Sequence, residues 1–192
     1  MKKKTLILLF SILPCFCFAK DRNFFGFQFG IGATIPLYED KAVWENHSKM
    51  NDESFARFII GSDVGFSLKL AKPLFLVFDI ESCADFSWNN DYYSNSLDYA
   101  FSAGFQFYPH TTNLSFSIFY SIGTRTDFVK LPERFEQIEK TKWGNGFKIA
   151  VEYDFISGGG IIPVLGAYYR FMPRGYDKYD NILSIYFRLA FR

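Results

Sequence analysis

Apolar and polar residues alternate along this chain with a period of two, in eight separate segments. In the first segment, Phe25, Phe27 and Phe29 share one face, whereas Gly26 and Gln28 share the opposite face. Successive side chains of a β-strand point to opposite faces, so this period predicts strands rather than helices. The segments run to about 11–16 residues, whereas strands of soluble proteins usually have about 5–6.

The apolar face of these segments is dense in large aromatic side chains, while the other face carries Gly, Ser and charged residues. Aromatic residues make up 21% of the chain, yet its mean hydropathy is zero. A soluble β-sandwich would place such apolar faces against each other. Strands that cross a membrane need about 9–11 residues and alternate in the same way, with the apolar face toward lipid. The pattern therefore favours a barrel in a membrane.

The connections between the segments alternate between long and short. Outer-membrane barrels have short turns on the periplasmic side and longer loops outside. The sequence thus predicts an all-β fold, an eight-stranded up-and-down antiparallel transmembrane β-barrel with both termini periplasmic. The predicted extracellular loops are residues 36–54, 89–96, 129–142 and 173–181, and the predicted turns are 71–73, 109–113 and 157–160.

The N-terminal segment has the layout of a secretory signal peptide. Three lysines, Lys2 to Lys4, precede a mainly apolar stretch from Leu6 to Phe18 that is too short to span a membrane as a helix. Small residues at the end of this stretch predict cleavage between Ala19 and Lys20. An uncleaved anchor and a lipoprotein signal at Cys15 or Cys17 are the alternatives. The predicted organisation is therefore a signal peptide, 1–19, followed by an outer-membrane barrel domain, 20–192.

The charge and the cysteine content exclude several classes of function. Without residues 1–19, Lys and Arg number 18 and Asp and Glu number 20, so no strongly basic face is available for nucleic acid. Only Cys83 remains after cleavage, which excludes an intramolecular disulfide. The two histidines, His47 and His110, lie far apart in the sequence, so no metal site and no cofactor are expected.

The last segment, residues 183–192, places apolar residues at alternate positions and an aromatic residue next to the end. With the signal peptide and the eight alternating segments, it resembles the small outer-membrane barrels of the OmpA, OmpX and OmpW type. The high content of Phe, Lys and Asn would fit a divergent spirochaete member. The resemblance implies outer-membrane lipid as surroundings and recognition by the barrel-assembly machinery, although Arg192 follows the aromatic residue. The residues that match this assembly signal are Ile185, Phe187, Leu189 and Phe191.

An eight-stranded barrel is narrow enough for its own side chains to fill the lumen. The polar face carries charges of both signs, and these should pair because an unpaired buried charge is costly. We therefore expect a structural salt-bridge network, with acid–base catalysis by paired carboxylates as the alternative. The predicted lumen network consists of Asp63, Asp79, Glu81, Asp98, Arg125, Lys148, Glu152, Arg170 and Arg188.

The predicted function is that of a non-enzymatic surface protein with a polar, side-chain-filled lumen. It would support membrane integrity or bind a host or other extracellular ligand through its loops, and no catalytic residue is expected. One alternative is passive transport of small molecules, as in OmpW-like barrels. A second alternative is a lipid A-modifying acyltransferase, in which His47 would act with Ser94 or Ser96.

The third extracellular loop, 129–142, contains a helical pattern. Leu131, Phe135 and Ile138 recur at i, i+4 and i+7, and Pro132 suits a first helical turn. This spacing predicts a short helix that rests on the barrel mouth or binds a partner, with a mobile, solvated loop as the alternative.

Overall fold

A computed structural model describes most of the chain beyond its N-terminal segment. The predicted cleavage site at Ala19 and Lys20 lies outside the described residues. The described residues are 24–50, 56–89, 91–109, 113–131, 134–155, 160–174 and 179–191.

Eight long strands form the wall, and one short strand and one helix lie in the predicted loops. The short strand is β6 (Arg134–Lys140), and the helix is α1 (Lys41–Met50). The wall strands are β1 (Phe25–Tyr38), β2 (Ala56–Ala71), β3 (Leu74–Trp88), β4 (Tyr93–Phe107), β5 (Leu114–Leu131), β7 (Gly144–Asp154), β8 (Ile161–Pro173) and β9 (Tyr179–Phe191).

The wall is a closed antiparallel sheet in which neighbours in the chain are neighbours in space. Strand β1 pairs with β2 and also with the last strand, β9, through pairs such as Phe27 with Phe191. Strands β4 and β5 are joined along their length, from Tyr93 opposite Lys130 to Phe107 opposite Phe116. The predicted eight-stranded up-and-down barrel is therefore confirmed.

The alternation predicts correctly which side chains face outward. Ile118 and Ile185 point away from the barrel and are 60% and 61% exposed, whereas their lumen-facing neighbours Ser117 and Ser184 are buried. Side chains beyond the lumen charges also fill the interior. An apolar cluster includes Phe75, Val77, Phe119, Tyr108, Tyr168 and Tyr186.

Tryptophans lie on the outer surface near one end of the barrel, which we call the mouth because α1 and β6 lie there. Trp88 ends β3, and Trp143 lies just before β7, with both side chains about half exposed. The Trp143 ring stacks on Phe101 at 6.4 Å and meets Tyr99 edge-on at 5.7 Å. Such amphipathic rings favour the boundary between lipid and water.

The predicted helix in loop 129–142 is wrong. Residues 134–140 instead form β6, which pairs with the end of β5 through pairs such as Ile138 with Phe128. β5 continues to Leu131, well beyond Gly123, the last of its residues that is paired with β7. The β5 end that projects past β7 offers an open strand edge, and pairing with that edge outweighs the helical spacing. Strands β5 and β6 together form a hairpin above the wall.

The first loop contains a helix that was not predicted. Residues 41–50 form α1, whose N-terminus is capped by Asp40: the backbone N–H of Ala42 donates to Asp40 Oδ1 at 3.2 Å. Val43 and His47, one helical turn apart, are both buried against the barrel. No helix among the described residues is long and apolar enough to cross a membrane.

One ladder of the wall is short. Strands β1 and β2 pair from Phe25 opposite Leu68 only as far as Gly32 opposite Gly61. Beyond these glycines, β1 stays paired with β9 as far as Tyr38, and β2 stays paired with β3 from Ala56. The two strands therefore separate from each other toward the mouth.

A charge on the lipid side should be costly only where the wall meets lipid. Ile118→Arg, near the middle of the part of β5 that pairs with β7 (residues 114–123), should destabilise the barrel in lipid vesicles by roughly 2–4 kcal/mol, the cost of an arginine at the bilayer midplane. Ile138→Arg is the matched control, since Ile138 is 66% exposed but lies on the hairpin beyond β7. Urea unfolding of both variants measures the difference, and equal losses would contradict the assigned lipid-facing surface.

Candidate functional site

The lumen charges form one connected set of ion pairs along the barrel. Near the end that carries the termini, Arg188 lies between two carboxylates, with Nε 2.8 Å from Asp63 Oδ2 and Nη1 2.7 Å from Glu152 Oε1. Its Nη2 also lies 3.5 Å from Asp79 Oδ2. Glu152 accepts a further hydrogen bond, from the Tyr186 hydroxyl at 2.7 Å. The guanidinium and its partners are all buried.

Lys148 continues the set toward the middle of the lumen. Its Nζ donates to Asp79 Oδ2 at 2.8 Å and also pairs with Glu81. The same ammonium lies 4.0 Å from the centre of the Phe119 ring, a cation–π contact. Glu81 in turn faces Arg170 Nη1 at 3.4 Å, so the carboxylate joins two cations.

The upper part of the lumen repeats this alternation with arginines. Asp98 joins Arg170 to Arg174, and Arg174 Nε donates to Asp180 Oδ2 at 2.6 Å. Asp180 then meets Arg125, whose Nη1 lies 2.6 Å from Asp180 Oδ1. Opposite charges therefore follow each other from Asp63 to the mouth, and we call this set the ion-pair ladder.

Arg125 links the ion-pair ladder to the helix at the mouth. Its Nε donates to Asp127 at 2.9 Å, and its Nη2 donates to Asp40 Oδ2 at 3.2 Å. Asp40 is also the residue that caps α1 through its other carboxylate oxygen. The helix is held a second time by Trp44, whose indole N–H donates to the Tyr38 carbonyl at 2.7 Å.

Glycines in the wall make room for the carboxylates of the ion-pair ladder. A Cβ atom on Gly65 would overlap Asp79 Oδ1, and one on Gly30 would lie 2.6 Å from Asp63 Oδ1. Side chains at these two inward positions of β1 and β2 would displace the acids. The ion-pair ladder therefore requires the inward glycines at these positions as well as the charged residues.

All nine residues of the predicted lumen network are buried, and every one of them takes part in the ion-pair ladder. Sequence reasoning missed other members. Arg174 and Asp180 fell inside the predicted loop 173–181, because the inward alternation was not extended past the strand ends. Asp40 reaches the lumen only because α1 folds back over the mouth.

A further pair, Arg57 and Asp85, lies beside the ion-pair ladder with 2.7 Å between Nη2 and Oδ2.

Two residues of the acyltransferase alternative, Ser96 and His47, have contacts within the mouth. The Ser96 hydroxyl donates to Asp127 Oδ1 at 2.6 Å, so its proton faces a carboxylate already paired with Arg125. His47 is buried on α1, and its ring meets Trp44 edge-on at 5.9 Å. His110 lies outside the described residues.

No protein-family model matches the chain, and no curated protein sequence matches it either. Several solved structures do match the chain. Ail, the attachment invasion locus protein of Yersinia pestis, matches in its complex with the heparin analogue sucrose octasulfate with a TM-score of 0.61 and 9% identity, covering 87% of this chain and 97% of Ail. Neisserial surface protein A matches with a TM-score of 0.51 and 10% identity, covering 88% of this chain and 99% of that protein.

The chain has the fold of the small outer-membrane β-barrels. The resemblance to barrels of the OmpA and OmpX type is thus confirmed at the level of the fold. At these identities the likeness covers the architecture and not the individual residues, so the ion-pair ladder rests on the contacts of this chain alone.

The predicted assembly signal lies on the lipid-facing side of this barrel. Ile185, Phe187 and Phe191 project outward from β9, between β8 and β1, and are 61%, 47% and 37% exposed. Leu189 shares their face and is partly exposed. Their recognition by the assembly machinery stays a prediction.

Removing one cation from the ion-pair ladder should be far worse than removing a cation together with an acid. Lys148→Met leaves Asp79 and Glu81 short of a partner and should destabilise the barrel by roughly 3–5 kcal/mol. Adding Asp79→Asn to Lys148→Met should restore much of that loss, because it removes one of the two uncompensated carboxylates. Urea unfolding in lipid vesicles compares the variants. No recovery in the double variant would show that Lys148 acts through packing instead.

The docking of α1 should weaken in acid. Burial and the nearby Arg57 lower the pKa of His47 from its usual 6.5, against the opposing effect of Asp85 and Asp127. A lowered pKa means that the folded state binds fewer protons, so docking is fully stable above about pH 6.5 and weakens as the pH falls through the folded-state pKa. Hydrogen exchange of the α1 amides, corrected for intrinsic rates, should lose protection between pH 7.5 and 5.5. His47→Gln should remove that dependence, and its persistence in the variant would assign it elsewhere.

Proposed function

We propose that the chain is a non-enzymatic surface protein of a bacterial outer membrane whose lumen is closed, and that its mouth binds molecules outside the cell. The observation that carries the proposal is the continuity of the ion-pair ladder from Asp63 to Asp40. Each cation of the ion-pair ladder already faces at least two carboxylates. The lumen charges therefore pair with each other and are not available to bind a passing solute. The fold supports the outer membrane as its location.

The orientation in the membrane follows from the same proposal. The end that carries α1 and the β5–β6 hairpin faces outward, and the end that carries the strand termini at Phe25 and Phe191 faces the periplasm. The tryptophans at the mouth, Trp88 and Trp143, then lie near the outer boundary of the bilayer. Residues 1–19 would serve as the cleaved export signal.

The mouth is built as a fixed surface. Helix α1 is attached at both ends of its first turn, by Asp40 to Arg125 and by Trp44 to the Tyr38 carbonyl. Beside it, β6 extends the sheet beyond the wall. A surface held in place before binding loses less conformational entropy when a ligand docks. This supports binding at the mouth over a purely structural role.

Exposed lysines point to an anionic ligand for the mouth. Lys41 begins α1, Lys130 lies near the end of β5, and Lys140 and Lys142 lie at and just after the end of β6, all of them exposed. The structural neighbour Ail was crystallised with a heparin analogue, sucrose octasulfate. We propose that this mouth also takes a sulfated or otherwise polyanionic ligand.

The closed lumen should be silent in a conductance measurement. The purified barrel in a planar lipid bilayer should give no unitary current steps, because the ion-pair ladder and the apolar cluster fill its cross-section. A variant in which residues 41–50 are replaced by a Gly-Ser linker should also be silent, because the ladder lies below α1. Reproducible current steps in the wild type would favour passive transport instead.

Sucrose octasulfate is a suitable probe for the mouth. Calorimetry should show binding that weakens as salt is raised, and the double variant Lys140→Ala/Lys142→Ala should bind it more weakly. The control is Lys69→Ala/Lys72→Ala, which removes the same charge at the opposite end of the barrel. Equal loss in both double variants would reduce the effect to net charge, and no binding at all would remove the polyanion proposal.

A further inference from the structure

The alternation of the wall breaks at two outward positions that face each other on neighbouring strands. Ser62 of β2 and Ser82 of β3 form a ladder pair at positions where the alternation predicts apolar residues. Their hydroxyl oxygens lie 2.7 Å apart on the exposed side of the wall. Val64 and Ile80, their next neighbours on the same face, are again apolar and about half exposed. We call Ser62 and Ser82 the hydroxyl pair.

The hydroxyl pair is incompletely hydrogen-bonded within the part of the chain that the structure describes. Each serine hydroxyl has one proton to donate and can accept two hydrogen bonds. One of the two protons lies in the bond between the serines, and the other finds no acceptor among the described residues. Lipid tails supply no acceptor either, and an unsatisfied polar group within a bilayer is costly. The pair therefore favours a neighbour that brings its own polar group to this depth.

The hydroxyl pair lies toward the mouth end of the lipid-facing wall. Ser82 is directly opposite Tyr99 of β4, and the Tyr99 ring meets Trp143 edge-on at 5.7 Å. Such rings favour the boundary between lipid and water. Since the mouth is the end that we propose faces outward, the hydroxyl pair lies near the headgroup region of the outer leaflet. At that depth a lipid carries the carboxyl ends of its acyl chains.

An apolar groove of about 340 Å³ lies beside the hydroxyl pair on the lipid side, lined in part by Val64 and Ile80. From there it extends over β4 to β5, where Ala103 lies directly between the larger Phe78 and Tyr120. The small side chain of Ala103 is what leaves the groove open. The backbone ladders are continuous here, so the groove lies on the outside of the wall.

We propose that this wall holds one membrane lipid whose acyl chain carries a hydroxyl group near its carboxyl end. The chain lies in the groove over Ala103, and its hydroxyl group lies against Ser62 and Ser82. A hydroxyl can accept the free serine proton and donate its own proton to the other serine oxygen, whereas an ester carbonyl can only accept. The site therefore selects a hydroxylated chain over an ordinary one. It goes beyond the mouth surface described above and shares with it only the location in the outer membrane.

A second copy of the chain fits this wall less well than a lipid does. Two copies with the same orientation in one membrane are related by a two-fold axis along the membrane normal, so positions of equal depth meet. Phe66 and Phe78, which stack at 5.3 Å beside the groove, would then meet their own counterparts and hold the shorter serine side chains apart. A flexible acyl chain meets no such obstacle.

Native mass spectrometry of the refolded barrel in detergent micelles tests the site with two probes. One is a phosphatidylglycerol with two 3-hydroxymyristoyl chains, and the other is dimyristoyl phosphatidylglycerol, which has the same headgroup and chain length. The wild type should retain one hydroxylated lipid per barrel and prefer it about eightfold, the contribution of two hydrogen bonds of average strength in a bilayer. Ser62→Ala/Ser82→Ala should retain the two probes equally.

Two controls are matched to the two parts of the site. Tyr153→Phe/Tyr169→Phe removes two hydroxyls from the outward face of β7 and β8 and should keep the preference. Ala103→Phe fills the groove and should weaken retention of both probes about tenfold, the loss expected when roughly two methylene groups are no longer buried. Ala167→Phe fills a separate groove, of about 430 Å³, and should retain both probes like the wild type. The heat-dependent gel mobility of each variant checks that it is folded.

Equal retention of the two probes by the wild type would overturn the site, and so would a preference that survives in folded Ser62→Ala/Ser82→Ala. Equal losses in Ala103→Phe and Ala167→Phe would reduce the lipid to ordinary surroundings. A dimer that disappears in the serine double variant would assign the hydroxyl pair to a contact between copies instead. None of these outcomes depends on conductance or on octasulfate binding, so the failure of this site is distinguishable from the failure of the proposed function.

Discussion

The structure depends on one constraint, which is that five cations, all buried among the described residues, must be paired inside a narrow barrel whose outer face meets lipid. The cations are Arg125, Lys148, Arg170, Arg174 and Arg188. Removing a charge from water costs several kcal/mol, and only close opposite charges with good hydrogen bonds offset that cost. The ion-pair ladder meets this requirement by placing each cation beside at least two carboxylates, most of which project from strands other than its own. The side chains therefore connect opposite walls of the barrel, which backbone ladders between neighbouring strands cannot do.

The ion-pair ladder also connects the mouth to the lumen. Arg125 contacts Asp180 and Asp127 from the wall and Asp40 from the cap of α1. A single guanidinium thus joins the interior of the barrel to the mouth. Where the backbone ladder between β1 and β2 stops, Asp85 links the two strands by accepting hydrogen bonds from Tyr38 and Arg57. Side-chain contacts close the barrel wherever the sheet alone does not.

The wall could be predicted from the sequence because lipid and lumen impose a strict period of two on each strand. Charges on the inward parity, such as Asp79 and Lys148, were found for the same reason. The mouth could not be predicted in this way, because no lipid imposes a pattern there. Strand β6 forms because the end of β5 offers an unpaired edge, and the spacing of Leu131, Phe135 and Ile138 carries no information about that edge. Asp40 joins the ion-pair ladder only through the fold of α1.

The accessibility of Lys148 to a water-soluble amine reagent tests the closed, paired lumen most directly. Lys148 is 1% exposed and lies between Asp79 and Glu81, whereas Lys140 at the mouth is exposed. Acetylation of the folded barrel in lipid vesicles, followed by mass spectrometry, should modify Lys140 and leave Lys148 unmodified until the protein is unfolded. Modification of both lysines at similar rates in the folded barrel would show a water-filled lumen and would contradict the account.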